Sequence, residues 1–194
     1  MKSLLKWGIA ASLLFTLPAC YRSVQRVSPD QQIDLSGKWN DTDSKLVAEE
    51  MSKDAINRPW LKSFSDKHNK KPTMIVGMIS NKSSEHIESD AFIKNIEREF
   101  INSGTIRIVQ NAEFREKMRQ ERADQQNFAS PETQKKWGKE LGADYMMFGT
   151  ITSITDVYNK KKVIYYQINL EWSDLETNEI VWIGEKKIKK FISN

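Results

Sequence analysis

The sequence predicts an α+β fold: a single domain with a small mixed or antiparallel sheet that ends in a meander and is flanked by about four helices. Residues 73–110 read as a strand, a helix and a strand in succession. The final 50 or so residues alternate apolar and polar side chains, as an antiparallel sheet with one wet face does. Elsewhere, apolar residues recur at helical spacing. The length suffices for one domain with its own core.

The N-terminus has the layout of a bacterial export signal. Two lysines precede a 13-residue, mostly apolar run that ends at Ala19. Such a run is shorter than the roughly 20 apolar residues that a membrane-spanning helix needs. Cys20, the only cysteine, follows immediately. The alternative is an ordinary cleaved signal, with Cys20 merely near the cut or buried in the core.

The stretch Leu17-Pro18-Ala19-Cys20 also resembles a bacterial lipobox. The resemblance implies that the Cys20 thiol receives a diacylglycerol, that the chain is cut before it, and that the new amino group is acylated. Two or more acyl chains anchor a protein stably to a membrane. We therefore predict a lipoprotein signal peptide over 1–19, a short tether over 20–32 and a folded domain over 33–194. Tyr21, where an aspartate often signals inner-membrane retention, favours the outer membrane.

The first half of the domain is predicted to begin with a short strand over Ile33–Gly37. A helix follows, because residues 41–43 offer helix-capping side chains and the next apolar residues fall at helical spacing. The sequence Asn57-Arg58-Pro59 should end this helix and start a second, short one. Residues 68–72 are predicted to form a loop.

The middle of the chain is predicted to supply two strands and three helices. A buried strand over 73–80 and a second over 105–110 flank a helix over 89–103, which Gly104 ends. A helix over 112–127 has few apolar residues, so it is either solvated or a partner-docking surface. Another helix is predicted from Ser130-Pro131 to Gly142.

The final residues are predicted to form the meander. Strands are expected over 143–158, 163–172 and 180–187, with 188–192 completing or following the last of them. Turns are expected at 159–162 and 176–178. In the second strand Ile164 and every second residue up to Trp172 are large and apolar, so these side chains should face the core.

Composition and motifs argue against catalysis. The sequence shows no phosphate-binding loop, no nucleophile beside a base and no zinc-ligand spacing, so we expect no enzyme activity, no cofactor and no metal. His68 and His86 fall in predicted loops. His86 near Glu85 and Glu88 could bind a metal, but a solvated loop is the simpler interpretation. The net charge of +4 comes from interleaved charges of both signs, which disfavours nucleic-acid binding.

Two stretches resemble the LpoB family of penicillin-binding protein activators. They are residues 35–51 (LSGKWNDTDSKLVAEEM) and residues 140–151, with Gly-Ala-Asp-Tyr followed by Gly-Thr-Ile. The second is shared with other envelope domains, including the N-terminal domain of TolB. The resemblance implies a small sheet flanked by helices in a periplasm-facing outer-membrane lipoprotein. Its implied activity is to stimulate a bifunctional penicillin-binding protein, a peptidoglycan synthase, by direct contact.

The first of these stretches supplies the candidate partner-binding residues Trp39, Asn40 and Asp41. The simpler interpretation is structural: Trp39 covers the end of the sheet and its indole N–H needs a partner, while Asn40, Asp41 and Asp43 cap the helix. Gly37 and Gly149 are expected to allow close backbone approach or a bulge in the sheet. The chain lacks the long proline-rich linker of the best-known family members. Its short tether favours an alternative function, a structural or assembly lipoprotein of the outer envelope without a synthase partner.

Overall fold

A computed structural model describes residues 23–29, 31–133 and 139–193. The chain divides into two units, Met1–Gln31 and Gln32–Asn194. The described part of the first unit has no helix or strand and is exposed. The predicted signal peptide, Cys20 and residues 134–138 of the predicted helix at 130–142 lie outside the described residues. No described helix is long and apolar enough to span a bilayer.

The second unit contains every described helix and strand. The helices are α1 (Asp41–Ile56), α2 (Pro59–His68), α3 (Ser89–Ser103) and α4 (Ala112–Phe128). The strands are β1 (Thr73–Lys82), β2 (Arg107–Ile108), β3 (Tyr145–Tyr158), β4 (Lys161–Asp174) and β5 (Ile180–Ser193). These four helices and five strands confirm the predicted α+β class.

Local sequence signals set the helix ends. Proline fixes the backbone angle φ and lacks an N–H, so Pro59 is well placed at the start of α2. Gly104 ends α3 with a φ of 66°, in the left-handed region where a glycine has no Cβ penalty. The side chain of Asn111 accepts a hydrogen bond from the Phe114 amide and caps α4.

The five strands form one mixed sheet in the order β2-β1-β3-β4-β5. β1 is parallel to both β2 and β3, whereas β3, β4 and β5 form the predicted antiparallel meander. The β3–β4 hairpin turns at residues 159–160, where Asn159 has a φ of 53°. Asparagine tolerates that conformation better than most residues. The meander strands have 14 residues each, whereas β1 has 10.

The core lies between one face of the sheet and the helices. Five alternate side chains of β4 are at most 2% exposed: Ile164, Tyr166, Ile168, Leu170 and Trp172. They belong to one core cluster with buried residues of α1 and α3, including Val47 and Phe92. On the other face, Ile154 and Phe191 are 67% and 63% exposed. The predicted core-facing and solvent-facing sides of β4 are therefore confirmed.

Three predicted elements differ from the structure. The strand predicted over Ile33–Gly37 is wrong: this segment bends, Leu35 is exposed, and Gly37 has a φ of 68°, which breaks an extended backbone. The strand predicted over 105–110 shrinks to the two residues of β2. The described flanks of the helix predicted at 130–142 are a turn at 131–133 and irregular chain at 139–143.

The two glycines predicted to permit close approach do so. A Cβ on Gly149 would overlap the Leu170 side chain and lie 3.1 Å from the Asn169 carbonyl oxygen. A Cβ on Gly37 would overlap the side chain of Ile192 on β5. The irregular segment before α1 therefore packs directly on the last strand.

Candidate functional site

Trp39 covers the end of the core just before α1. Its ring packs edge-on against Tyr166, with centroids 5.5 Å apart, and its indole N–H donates to Ser44 Oγ at 2.7 Å. Glu85 Oε2 accepts from the Trp39 amide at 3.0 Å and from the Tyr166 hydroxyl at 2.8 Å. Burial and the bond to Glu85 raise the pKa of Tyr166. The predicted cover and the predicted partner for the indole are both present.

Asn40 begins α1 through a capping box. Its side-chain oxygen accepts from the Asp43 amide at 3.1 Å, and the Asp43 carboxylate accepts from the Asn40 amide at 2.9 Å. Two backbone N–H groups that the helix leaves without partners are thereby bonded. The Asn40 amide group also donates to Asp34 at 2.6 Å. The polar groups of Asn40 are thus used within the domain.

Lys190 of β5 joins three parts of the chain at this junction. Its Nζ lies 2.6 Å from Asp43 Oδ2, 3.0 Å from Asp34 Oδ1 and 2.9 Å from the Lys38 carbonyl oxygen. Its side chain is only 12% exposed. Burial disfavours the charged amine, but the bonds to Asp43 and Asp34 outweigh this and raise its pKa. We call these contacts the Lys190 clamp.

The sequence interpretation missed the Lys190 clamp, although one signal was present. Along β5 the residues at 186, 188, 190 and 192 share the helix-facing side, and two of them are lysines. A lysine on a half-buried face needs an acidic partner. Lys186 contacts Glu50 of α1, and Lys190 contacts Asp43. Nothing local in the sequence identifies those partners.

Asp41 is not part of the capping box, which Asn40 and Asp43 form, and it is the candidate residue left facing solvent. It lies in the first turn of α1 and is exposed, as are Leu35 and Leu46 nearby in the chain. Trp39 and Asn40 are half-buried and bonded internally. Of the three candidates, a partner reaching this junction would therefore meet Asp41 first. The partner-binding role of all three candidates stays a prediction.

The histidines form no centre for chemistry in the described part of the chain. His68 ends α2 and stacks on Phe64 with centroids 4.4 Å apart. His86 Nε2 lies 3.7 Å from a Glu88 oxygen, while Glu85 is engaged by Trp39 and Tyr166. Among the residues described, no three acidic, histidine or cysteine side chains cluster as metal ligands do.

Comparison with known proteins gives one family. The family model described as peptidoglycan-synthase activator LpoB matches residues 43–188, from the first turn of α1 into β5 and about three quarters of the chain. No curated protein matches.

Among solved structures, lipoprotein GNA1162 from Neisseria meningitidis is similar at 14% identity and a TM-score of 0.40, covering 63% of this chain and 87% of that one. The C-terminal domain of LpoB from Salmonella enterica is 13% identical, with a TM-score of 0.37 and coverage of 68% and 94%. The NMR structure of LpoB from Escherichia coli is 11% identical, with a TM-score of 0.38 and coverage of 97% and 91%. Likeness at this level carries no statement about function.

Proposed function

The chain belongs to the LpoB family of peptidoglycan-synthase activators, and from that premise we propose that it activates a bifunctional penicillin-binding protein by direct contact. The observation that carries the proposal is the family match over residues 43–188, which spans the core of the domain. In this proposal the protein is not an enzyme. It requires no cofactor and binds no nucleic acid.

The proposed location is the periplasmic side of the outer membrane. The support is the lipobox-like sequence that ends at Cys20, with the apolar run before it and Tyr21 after it. In this proposal residues 1–19 are removed, and Cys20 carries acyl chains such as palmitate. The short tether over 20–32 then joins the membrane to the domain over 33–194.

The proposed docking surface centres on Asp41. Trp39 and Asn40 fix the conformation of the chain at this point, while Asp41 presents a carboxylate to solvent. Exposed Leu35 and Leu46 line a cleft next to β5 in the same region of the domain. A fixed surface charge with apolar side chains in the same region is suited to steering and then holding a partner. Testing the surface through Asp41 is preferable, because replacing Trp39 would also damage the core.

The test uses the lipid-free mature chain, residues 20–194 with Cys20→Ser, and a purified bifunctional penicillin-binding protein. We expect binding at micromolar concentration or below and a faster glycan polymerisation rate. Asp41→Lys should weaken binding at least about fivefold, as loss of a contact worth about 1 kcal/mol does. Asp90→Lys, the same exchange at an exposed position in the first turn of α3, is the matched control. Absence of binding would refute the proposal, and equal effects of both variants would refute the Asp41 surface.

A second candidate function is a structural or assembly lipoprotein of the outer envelope, without a synthase partner. The observation that favours it is the tether, since 12 residues span at most about 40 Å when fully extended. Affinity capture from native membranes discriminates the two functions. Recovery of outer-membrane or secretion components without a synthase would favour the second.

A further inference from the structure

The far end of the meander is a protruding surface that is both apolar and basic. We define the hairpin tip as residues 154–163, which join β3 to β4, together with residues 189–193 of β5. Four of its six apolar members are largely exposed: Ile154 is 67% exposed, Val157 62%, Tyr158 76% and Phe191 63%. Ile154, Tyr158 and Phe191 lie on the side of the sheet away from the helices, whereas Val157 lies on the other side, in register with Ile192. Exposed apolar side chains that share one surface, as the first three do, indicate an interaction site.

The charge of the hairpin tip is strongly one-sided. It holds five lysines and a single acid, Asp156. Within the described part of the chain only Lys190 among these lysines forms an ion pair. The other four are Lys160, Lys161, Lys162 and Lys189. They remain available to a negatively charged ligand.

Structural explanations account for only part of this surface. Lysines on an edge strand such as β5 prevent unwanted strand pairing. Three of the four free lysines, however, lie in the β3–β4 turn or directly beside it, away from the sheet edge. Edge protection also gives no reason for an exposed tyrosine and phenylalanine. Aromatic side chains flanked by lysines are instead typical of a segment that lies in the interface of an anionic bilayer.

The chain enters the domain beside this same tip. Asp34 is bonded to Lys190, and Gly37 packs on Ile192, which pairs with Lys162. Gln32, the first residue of the domain unit, lines a cleft together with the last residues of β5. A 12-residue tether from Cys20 therefore reaches the domain at the end that carries the hairpin tip. The tether thus keeps Gln32, at this end of the domain, within about 40 Å of the proposed lipid anchor.

We propose that the hairpin tip binds the surface of an anionic phospholipid bilayer. Tyr158 and Phe191 enter the headgroup region, while Lys160, Lys161 and Lys162 contact lipid phosphates. Which membrane the tip binds depends on the proposed lipid anchor at Cys20. The affinity of the tip for anionic lipid does not depend on that anchor. A second attachment beside the tether holds the domain against the membrane that carries its anchor.

The first experiment measures partition of the mature Cys20→Ser chain onto vesicles, with and without phosphatidylglycerol in phosphatidylcholine, at low ionic strength. Each lysine near an anionic surface contributes roughly a factor of five, so replacing Lys160, Lys161 and Lys162 by Gln should lower partition about a hundredfold. The control replaces Lys53, Lys67 and Lys71, which are exposed outside the tip, and gives the same net charge. Its partition should fall less than about tenfold. Equal losses in both variants, or no preference for anionic vesicles, would overturn the proposal.

The second experiment asks whether the tip enters the interface. Because Cys20 is the only cysteine, Cys20→Ser with Tyr158→Cys carries one thiol for an environment-sensitive fluorophore. Anionic vesicles should shift its emission to the blue. The control places the same label at Ile101, which is 57% exposed on α3, and should show no shift. No shift at position 158, or an equal shift at both, would overturn the proposed contact.

Synthase assays separate this proposal from the proposed function. In detergent, without vesicles, the triple Gln variant should stimulate the synthase as well as the unmodified chain does. Lost stimulation would assign the lysines to synthase binding and overturn the membrane role. Conversely, if the chain binds vesicles but does not bind the synthase, the proposed membrane contact of the tip stands and the proposed activator function is refuted.

Discussion

Replacing Lys190 by Met tests how the segment before α1 is held to the sheet. The substitution keeps the length and apolar stem of the side chain and removes the ammonium group. Three acceptors lose their donor: the Asp34 carboxylate, the Asp43 carboxylate and the Lys38 carbonyl. The side chain of Asp43 is only 8% exposed, so water cannot fully replace the lost bond.

The expected destabilisation is about 2–3 kcal/mol. Breaking a fully buried ion pair costs about 3–5 kcal/mol, and a hydrogen bond to a charged group contributes about 1.5–3. We expect a loss of unfolding free energy near the lower end of these ranges, because Asp43 keeps its hydrogen bond from the Asn40 amide and Asp34 is partly exposed. For a chain of this length, the melting temperature should fall by about 5–10 °C.

Urea unfolding followed by tryptophan fluorescence measures this change. The matched control is Lys189→Met, the neighbouring residue on the opposite face of β5, which makes no ion pair among the described residues and should cost less than about 0.5 kcal/mol. A double-mutant cycle with Asp43→Asn should return a coupling energy of about 1–2 kcal/mol. If Lys190→Met costs no more than Lys189→Met, the clamp contributes nothing and the reasoning is wrong.

Three further substitutions or conditions test the packing and the charges. Gly149→Ala should lower the free energy of unfolding in urea by about 2–3 kcal/mol, because the new methyl group overlaps the side chain of Leu170 on β4. Gly142→Ala is the control and should be neutral, since no atom lies within 4 Å of the added Cβ. Equal effects of the two substitutions would contradict the predicted overlap. Tyr166→Phe should cost about 1–2 kcal/mol, since it removes one of two donors to Glu85, and a loss below 0.5 would refute that bond. Acid should also destabilise the domain. Hydrogen bonds from Gln32 and Lys190 lower the pKa of Asp34 in the folded state. The stability that ionised Asp34 contributes is therefore complete above about pH 4 and is lost as the pH falls through the folded-state pKa. A melting temperature that stays unchanged from pH 5 to pH 2 would exclude this contribution.

Long, strongly patterned segments could be predicted from the sequence alone. The alternation in β4 and the helical spacing with its terminal glycine in α3 depend on neighbours within one element, so local reasoning finds them. Short segments could not. The alternation of Ile33 and Leu35 suits a strand, but no neighbouring strand supplies hydrogen bonds, and the left-handed conformation of Gly37 comes from packing on Ile192.

The candidate site shows the same division. The capping chemistry of Asn40 was predicted, because its partner lies three residues away. The clamp was not, because Lys190 meets Asp43 across 147 positions of sequence. The hairpin tip was predicted only as a turn. Its lysines were visible, but its exposed Phe191 comes from a different strand, and only the β4–β5 register places the two together.

The clamp also connects the two proposed surfaces. Lys190 pairs with Ile164 of β4, three residues beyond Lys161 in the tip, and its ammonium contacts the first turn of α1, which carries Asp41. In the two proposals taken together, a tip bound to the membrane brings the start of α1 toward that membrane. A synthase that binds around Asp41 would then compete with the membrane for this end of the domain. Anionic vesicles should accordingly weaken synthase binding to the unmodified chain, whereas the triple Gln variant should be insensitive to them. If vesicles leave the affinity unchanged, the synthase binds a surface other than the one around Asp41.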